Sequence, residues 1–125
     1  MNMKAEITYK QFLETINSNN SDHPGECPVL YVFAILHGRW KNHVLFEMSK
    51  FEFIRFGQLK KIIPSITNTM LTSTLRELEE DGLVNRVQFN EIPPHVEYSL
   101  TNKSKELMPV FYEMYKWGTK YFAKK

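Results

Sequence analysis

Residues 62–83 read IIPSITNTMLTSTLRELEEDGL, and their reading decides the fold. Ile62 and Ile63 close one helical turn, and Pro64 stops it, because the proline ring forbids a continuing turn. Thr67 then offers a hydroxyl to the unpaired amides of a new helix. That helix is predicted to run over residues 68–81, with Gly82 supplying the left-handed residue that closes it. Leu71, Leu75 and Leu78 recur at i, i+4 and i+7 and make one apolar face. Asn68, Thr69, Thr72, Ser73 and Arg76 fall mostly on the other. For two turns this outward face is short, polar and uncharged, which suits close approach to base edges and phosphates. About 14 residues make a rod of roughly 21 Å, of a size for a groove about 12 Å wide. A plain amphipathic surface helix is the bland alternative, and the flanking residues decide between them.

Before this helix, residues 58–63 form a brief helix with Leu59, Ile62 and Ile63 inward and Lys60 and Lys61 outward. Two helices joined this tightly make a helix-turn-helix, over residues 58–81. After it, residues 84–89 and 96–100 alternate as two strands around a proline-stiffened loop with His95 at its end. That hairpin, over residues 84–100, is a wing. Residues 51–56 are short, aromatic and β-prone, an edge strand or extended link.

Upstream, residues 40–48 make a helix with Trp40, Val44, Leu45 and Met48 buried and Arg39, Lys41 and His43 outside. Cys27 and Pro28 open another, with Val29, Val32, Phe33 and Leu36 inward and Gly38 at its end. Residues 1–16 read as an N-terminal helix, followed by a polar, helix-breaking linker to about residue 25. Downstream, residues 101–123 form the last helix, kinked at Pro109. Its stripe of Leu107, Val110, Phe111, Met114, Trp117, Tyr121 and Phe122 is wider than one small domain needs, which favours a second copy of the chain as its cover. Phe12 and Ile16 of the N-terminal helix join Phe111, Met114, Trp117 and Tyr121 in that expected interface. Met70, Met108 and Met114 are most simply packing residues. The fold class is mainly α with a small β-hairpin, α+β: a winged helix-turn-helix with flanking dimerisation helices, in one domain over residues 1–125.

Composition sets bounds but does not announce the function. The chain has 125 residues, 42% hydrophobic and 14% aromatic, with a net charge of +2. Between residues 53 and 100, Arg55, Lys60, Lys61, Arg76 and Arg86 face Glu77, Glu79, Glu80, Asp81, Glu91 and Glu97, so DNA binding rests on local arrangement rather than bulk charge. One cysteine excludes an intrachain disulfide. There is no signal pattern and no run of about 18 apolar residues, so a soluble cytoplasmic protein without membrane contact is expected. Enzyme chemistry finds no glycine-rich phosphate loop, no Ser elbow and no spaced His/Asp/Glu set. His23 and Cys27 lack further soft ligands for a metal site, and no cofactor is expected.

Several blocks together resemble the HxlR-type family of winged helix-turn-helix transcriptional regulators, relatives of the MarR group. They are Cys27-Pro28, Gly38-Arg39-Trp40-Lys41, Arg55-Phe56-Gly57-Gln58-Leu59, Ile63-Pro64 and Met70-Leu71-Thr72. The run from Leu75 through Val84, Pro93-Pro94, the segment from Val96 to Thr101, Pro109-Val110 and Trp117-Gly118 complete the set. The resemblance implies a homodimer, held by its terminal helices, that binds double-stranded operator DNA and regulates transcription. It implies base reading by Asn68, Thr69, Thr72, Ser73 and Arg76. Phosphate contacts are expected from Arg39, Lys41, Lys60, Lys61, Arg86 and His95. It also implies an oxidant- or electrophile-sensing role for Cys27, whose place before a helix N-terminus favours the thiolate; a buried structural thiol is the alternative. No motif specifies a small-molecule or oxidant effector. His95 stands where the family often has a second basic residue, which weakens the expected grip of the wing. Residues 51–54 replace a short glycine-containing turn, and the segment before Cys27 is longer than usual. The rival reading is a winged-helix protein–protein interaction module without specific DNA binding, supported by the near-neutral recognition region.

Overall fold

The computed structural model describes residues 6–18 and 28–122. Cys27, His23 and residues 19–25 of the expected linker lie outside the described residues; Asn17 and Ser18, expected to begin that linker, are instead the last residues of the first helix. The chain divides into two compact units, residues 1–37 and 38–125.

The N-terminal unit contains α1 (Tyr9–Ser18) and α2 (Pro28–Ile35). The helix expected from residue 1 begins instead at Tyr9, because Thr8 and Gln11 form a reciprocal cap. The Gln11 amide donates to Thr8 Oγ1 at 3.1 Å, and the Thr8 amide donates to Gln11 Oε1 at 2.8 Å. Phe12 is half-buried and Ile16 exposed. Pro28 sits in the first turn of α2, as its missing N–H allows. Val29, Val32 and Phe33 were expected inward, yet all three are exposed. The helix reads PVLYVFAI, apolar on every face, so it has no single stripe to turn inward.

The C-terminal unit carries α3 (Lys41–Met48), α4 (Phe56–Ile62), α5 (Asn68–Glu80), β1 (Val84–Phe89), β2 (His95–Leu100), α6 (Asn102–Lys105) and α7 (Met108–Phe122). Its core joins Val44, Leu45 and Met48 of α3 to Leu59 of α4, Ile63 and Ile66 of the turn, and Leu71, Leu75 and Leu78 of α5. Trp40 is only half-buried, just ahead of α3. The helix expected from residue 58 starts at Phe56, because the Arg55 amide donates to Gln58 Oε1 at 2.9 Å and fixes the first turn there. Between α4 and α5 the Ile66 amide donates to the Ile63 carbonyl at 3.2 Å. Ile63 and Ile66 point into the core while Pro64 and Ser65 face solvent. That short turn sets the angle of α5.

Thr67 is the N-cap of α5, its Oγ1 accepting the Met70 amide at 3.0 Å. At the other end the Leu83 amide reaches the Leu78 carbonyl at 2.9 Å and the Gly82 amide the Glu79 carbonyl at 3.0 Å. This closing motif needs the φ of +75° that Gly82 adopts.

β1 and β2 pair antiparallel in a register running from Val84–Leu100 to Phe89–His95. Of the two forms expected for residues 51–56, an edge strand or an extended link, the structure has a link with one bridge. Ile54 and Tyr98 exchange two backbone hydrogen bonds of 2.8 Å on the free edge of β2. Only Ile54 is buried there, Phe51 and Phe53 remain exposed, and α4 claims Phe56, so no further pairing forms.

The long last helix is broken rather than kinked. α6 ends at Lys105 and α7 begins at Met108, so Pro109 lies in a first turn. A helix continuous through Pro109 would set its ring against the Lys105 carbonyl, four residues earlier, and no amide would bond that oxygen.

Candidate nucleic-acid interface

The outward face of α5 carries the residues expected to read DNA. Asn68, Thr69, Thr72 and Arg76 are exposed and Ser73 is half-buried. Leu71, Thr74, Leu75 and Leu78 point inward. Thr72 Oγ1 donates to the Asn68 carbonyl at 2.8 Å. Its single proton is thereby used, and toward a base edge this hydroxyl can only accept. Met70, expected as packing, is 44% exposed, because the first turn of α5 projects beyond the core. The signal was available: at position three of a capped helix, Met70 lies off the Leu71–Leu75–Leu78 stripe. Its thioether is an apolar surface of the kind that contacts a thymine methyl.

Cations flank this face on both sides, but not all those expected. Lys61 is exposed on α4, and half-buried Lys60 donates to the Pro64 carbonyl at 3.2 Å. Arg39 is exposed, its guanidinium 4.4 Å above the Trp40 ring. Arg86 is exposed on β1 directly opposite Tyr98.

Two expected phosphate contacts are corrected. The Lys41 side chain is only 13% exposed, its ammonium 3.2 Å from Glu77 Oε2 and 3.5 Å from Asp81 Oδ2. Of the acids at the end of α5, Glu77 and Asp81 thus engage this lysine, while Glu79 and Glu80 are exposed. His95 is 16% exposed, stacked on Phe89 at 4.8 Å between ring centres. Its ring nitrogens lie 3.2 Å from Glu97 Oε2 and 3.8 Å from Glu91 Oε2, so carboxylates occupy the directions a phosphate would need.

Arg76 could have paired with Glu80 along the helix, but among the described residues it makes no ion pair. Instead it lines a hollow of about 170 Å³ between α5 and the hairpin, with Thr72, Leu75, Glu79, Arg86 and Tyr98. Sequence periodicity could not find this hollow, since it depends on how the hairpin folds back over α5.

The expected dimer residues of the C-terminal unit are divided. Met114, Trp117 and Tyr121 are exposed, together with Val110, Tyr112, Tyr115 and Phe122. Phe111 is half-buried, its ring edge-on to Phe46 at 6.4 Å. An apolar groove of about 350 Å³ runs beside this pair, lined by Asn42, His43, Phe46, Phe111, Met114 and Tyr115. No helix among the described residues is long and apolar enough to cross a membrane.

Comparison with known proteins agrees with this geometry. Residues 35–125 match the model of the HxlR-like helix-turn-helix family. The chain is 41% identical over 95 residues to the uncharacterised HTH-type transcriptional regulator BH0655 of Halalkalibacterium halodurans, covering 76% of this chain and 84% of that protein. Among solved structures it is similar to the oxidised form of the redox regulator HypR. The TM-score is 0.70 and the identity 40%, with 78% of this chain and 100% of that one covered. It is also similar to the reduced form of the transcriptional regulator YodB from B. subtilis, with TM-score 0.69, 33% identity, and 77% and 94% covered. This family consists of DNA-binding transcriptional regulators, not enzymes. A helix-turn-helix of this geometry, with a hairpin wing and a matching family model over most of its length, makes this chain a member of the HxlR-like helix-turn-helix family of transcriptional regulators.

Proposed function

We propose that this regulator acts in the cytoplasm as a homodimer on a two-fold symmetric operator. α5 enters the major groove and the β1–β2 hairpin lies along the adjacent backbone. The observation that carries this reading is the outward face of α5: exposed, polar and uncharged at Asn68, Thr69 and Thr72, with free cations at Lys61 on one side and Arg86 on the other. Asn68 has the two-pronged amide that pairs with adenine, and Thr69, Thr72 and Ser73 supply short hydroxyls. Arg39, Lys60, Lys61 and Arg86 hold phosphates.

The dimer is supported by the exposed aromatic face of α7, which is larger than a soluble monomer ordinarily leaves bare. Phe12 and Ile16 of α1, in the N-terminal unit, are proposed as further contacts to a second copy. Two copies would place their α5 helices about one turn of DNA apart, roughly 34–36 Å, or a multiple of it.

Likeness to the redox regulator HypR supports an oxidant- or electrophile-responsive thiol at Cys27. With one cysteine per chain, its oxidised products are a sulfenic acid, a mixed disulfide with a small thiol, or a bridge between two subunits.

The test is selection of genomic DNA fragments on the purified, reduced protein, followed by binding of Asn68→Ala. Enrichment of a two-fold symmetric site, with discrimination weakened by Asn68→Ala, is the expected result. No enrichment over random fragments at low salt overturns the reading. Cys27→Ser that still releases DNA normally under diamide or peroxide removes the thiol-sensing part alone.

A further inference from the structure

We propose that Arg76 and Arg86 together clamp one phosphodiester of the operator backbone between the recognition helix and the wing. Arg76 is thus a positioning contact and not a base reader. The inference rests on the DNA-binding reading above and refines it.

Four observations point to a phosphate. The first is axial position. Arg76 lies eight residues beyond Asn68, about 12 Å along α5. Helix-turn-helix proteins read base edges mainly from the N-terminal residues of the recognition helix, and later turns leave the floor of the groove.

The second is placement. Arg86 and Tyr98 are direct cross-strand partners, so their side chains stand on the same face of the hairpin. That face closes over α5, and the two arginines border a single hollow.

The third is size. At about 170 Å³ the hollow has the volume of roughly five to six waters. That is room for a tetrahedral phosphate with its ester oxygens, and too little for a base pair.

The fourth is charge. Neither guanidinium has an ion-pair partner among the described residues, although Glu79 lines the same hollow and Glu80 is one helical turn from Arg76. Two cations against one carboxylate leave the hollow net positive. Guanidinium forks match phosphate oxygens in geometry as well as charge. Tyr98, which also lines the hollow, brings a phenolic hydroxyl as a further donor. Glu79, facing the same anion, opposes it and keeps the contact weak enough to release.

The experiment uses the full-length protein on the site it selects. Affinity is measured against salt concentration for the wild type, Arg76→Gln, Arg86→Gln and the double variant. Binding is then repeated on duplexes carrying a neutral methylphosphonate at each backbone position in turn. Each substitution is present in both subunits of the dimer, so one shared phosphate per half-site predicts that the double variant loses about 1.8 from the slope of log K against log salt, not about 3.6. It predicts that one and the same methylphosphonate removes the penalty of both single variants. Base preferences of Arg76→Gln stay those of the wild type, and Glu79→Gln tightens binding equally on all sequences.

A tenfold or greater loss of discrimination at one base pair in Arg76→Gln would show base reading and sink the clamp, as would two different rescuing positions. Both outcomes leave specific DNA binding standing. A wild type that selects no site brings down the DNA-binding reading and the clamp with it. Both arginines are exposed, so unchanged thermal unfolding of the single variants is expected and is checked first.

Discussion

Lys41 Nζ lies 3.2 Å from Glu77 Oε2 and 3.5 Å from Asp81 Oδ2, so one ammonium joins the first turn of α3 to the end of α5. Glu77 and Asp81 stand four residues apart where the helix dipole disfavours negative charge. Lys41 offsets both, and ties the recognition helix to the helix behind it.

Lys41→Met should therefore act on stability and not on DNA. Removing the cation leaves two carboxylates facing each other, one of them half exposed. The expected loss is about 1–2 kcal/mol, read as a lower urea midpoint with an unchanged m-value. The salt dependence of DNA binding should stay that of the wild type. A slope shallower by about 1.8, one phosphate for each subunit of the dimer, at unaltered stability would return Lys41 to the phosphate-binding set.

Three consecutive carbonyls after α5 are taken by three donors around α6. Lys103 Nζ bonds the Asp81 carbonyl at 2.9 Å, Thr101 Oγ1 that of Gly82 at 2.7 Å, and Ser104 Oγ that of Leu83 at 2.7 Å. Ser104 is fully buried, so Ser104→Ala leaves the Leu83 carbonyl with a longer backbone bond from Thr101 alone. A cost of about 1–3 kcal/mol is expected. Hydrogen exchange should speed up at the amides that close α5, those of Gly82 and Leu83. Lys103→Met, at an exposed position, should cost less than Ser104→Ala; the reverse order would mean that the buried hydroxyl is not the main tie.

Thr67→Ala should lower stability by about 1 kcal/mol, and Thr67→Ser should restore most of it, because only the side-chain oxygen is needed at the cap. The cap holds the turn that presents Asn68 and Thr69, so Thr67→Ala should also weaken operator binding by more than its effect on global unfolding explains. Comparing binding at a temperature where both proteins are fully folded separates the two effects. Equal affinity there would show that the first turn of α5 forms without its cap.

The helix-turn-helix was legible because its signals are local. Pro64, Thr67, the Leu71–Leu75–Leu78 stripe and Gly82 each act within a turn or two, and the structure places each where periodicity did. Boundaries moved where a side chain captured a backbone group that hydropathy does not see, as Gln58 does at Arg55 and Gln11 at Thr8. At the interface, His95, expected to grip only weakly, has its carboxylates close by in sequence, at Glu91 and Glu97. Charge alone puts Lys41 outside, whereas its carboxylate partners are brought by the fold. For Lys41 these lie 36 and 40 residues along the chain. The pairing of Arg76 with Arg86 was invisible for the same reason: it exists only once the hairpin closes on the helix.

The aromatic face of α7 yields the last prediction. Trp117, Tyr121 and Phe122 form a cluster, with ring centres 5.3 Å apart for Trp117–Tyr121 and 5.4 Å for Trp117–Phe122. Each is more than half exposed and no residue of α7 is buried. Their area therefore adds little to the fold of one chain, and in the proposed dimer a second copy would cover it. Trp117→Glu should leave the unfolding of the helix-turn-helix core nearly unchanged, since that core is made by α3, α4 and α5. It should raise the dimer dissociation constant by about a hundredfold or more, the effect of losing a central aromatic anchor and burying a charge in its place. Sedimentation velocity across a dilution series reads this directly. A monomer grips only one half-site, so operator binding should fall with dimerisation and recover at high protein concentration. A Trp117→Glu protein that stays dimeric at nanomolar concentration would move the interface to another surface.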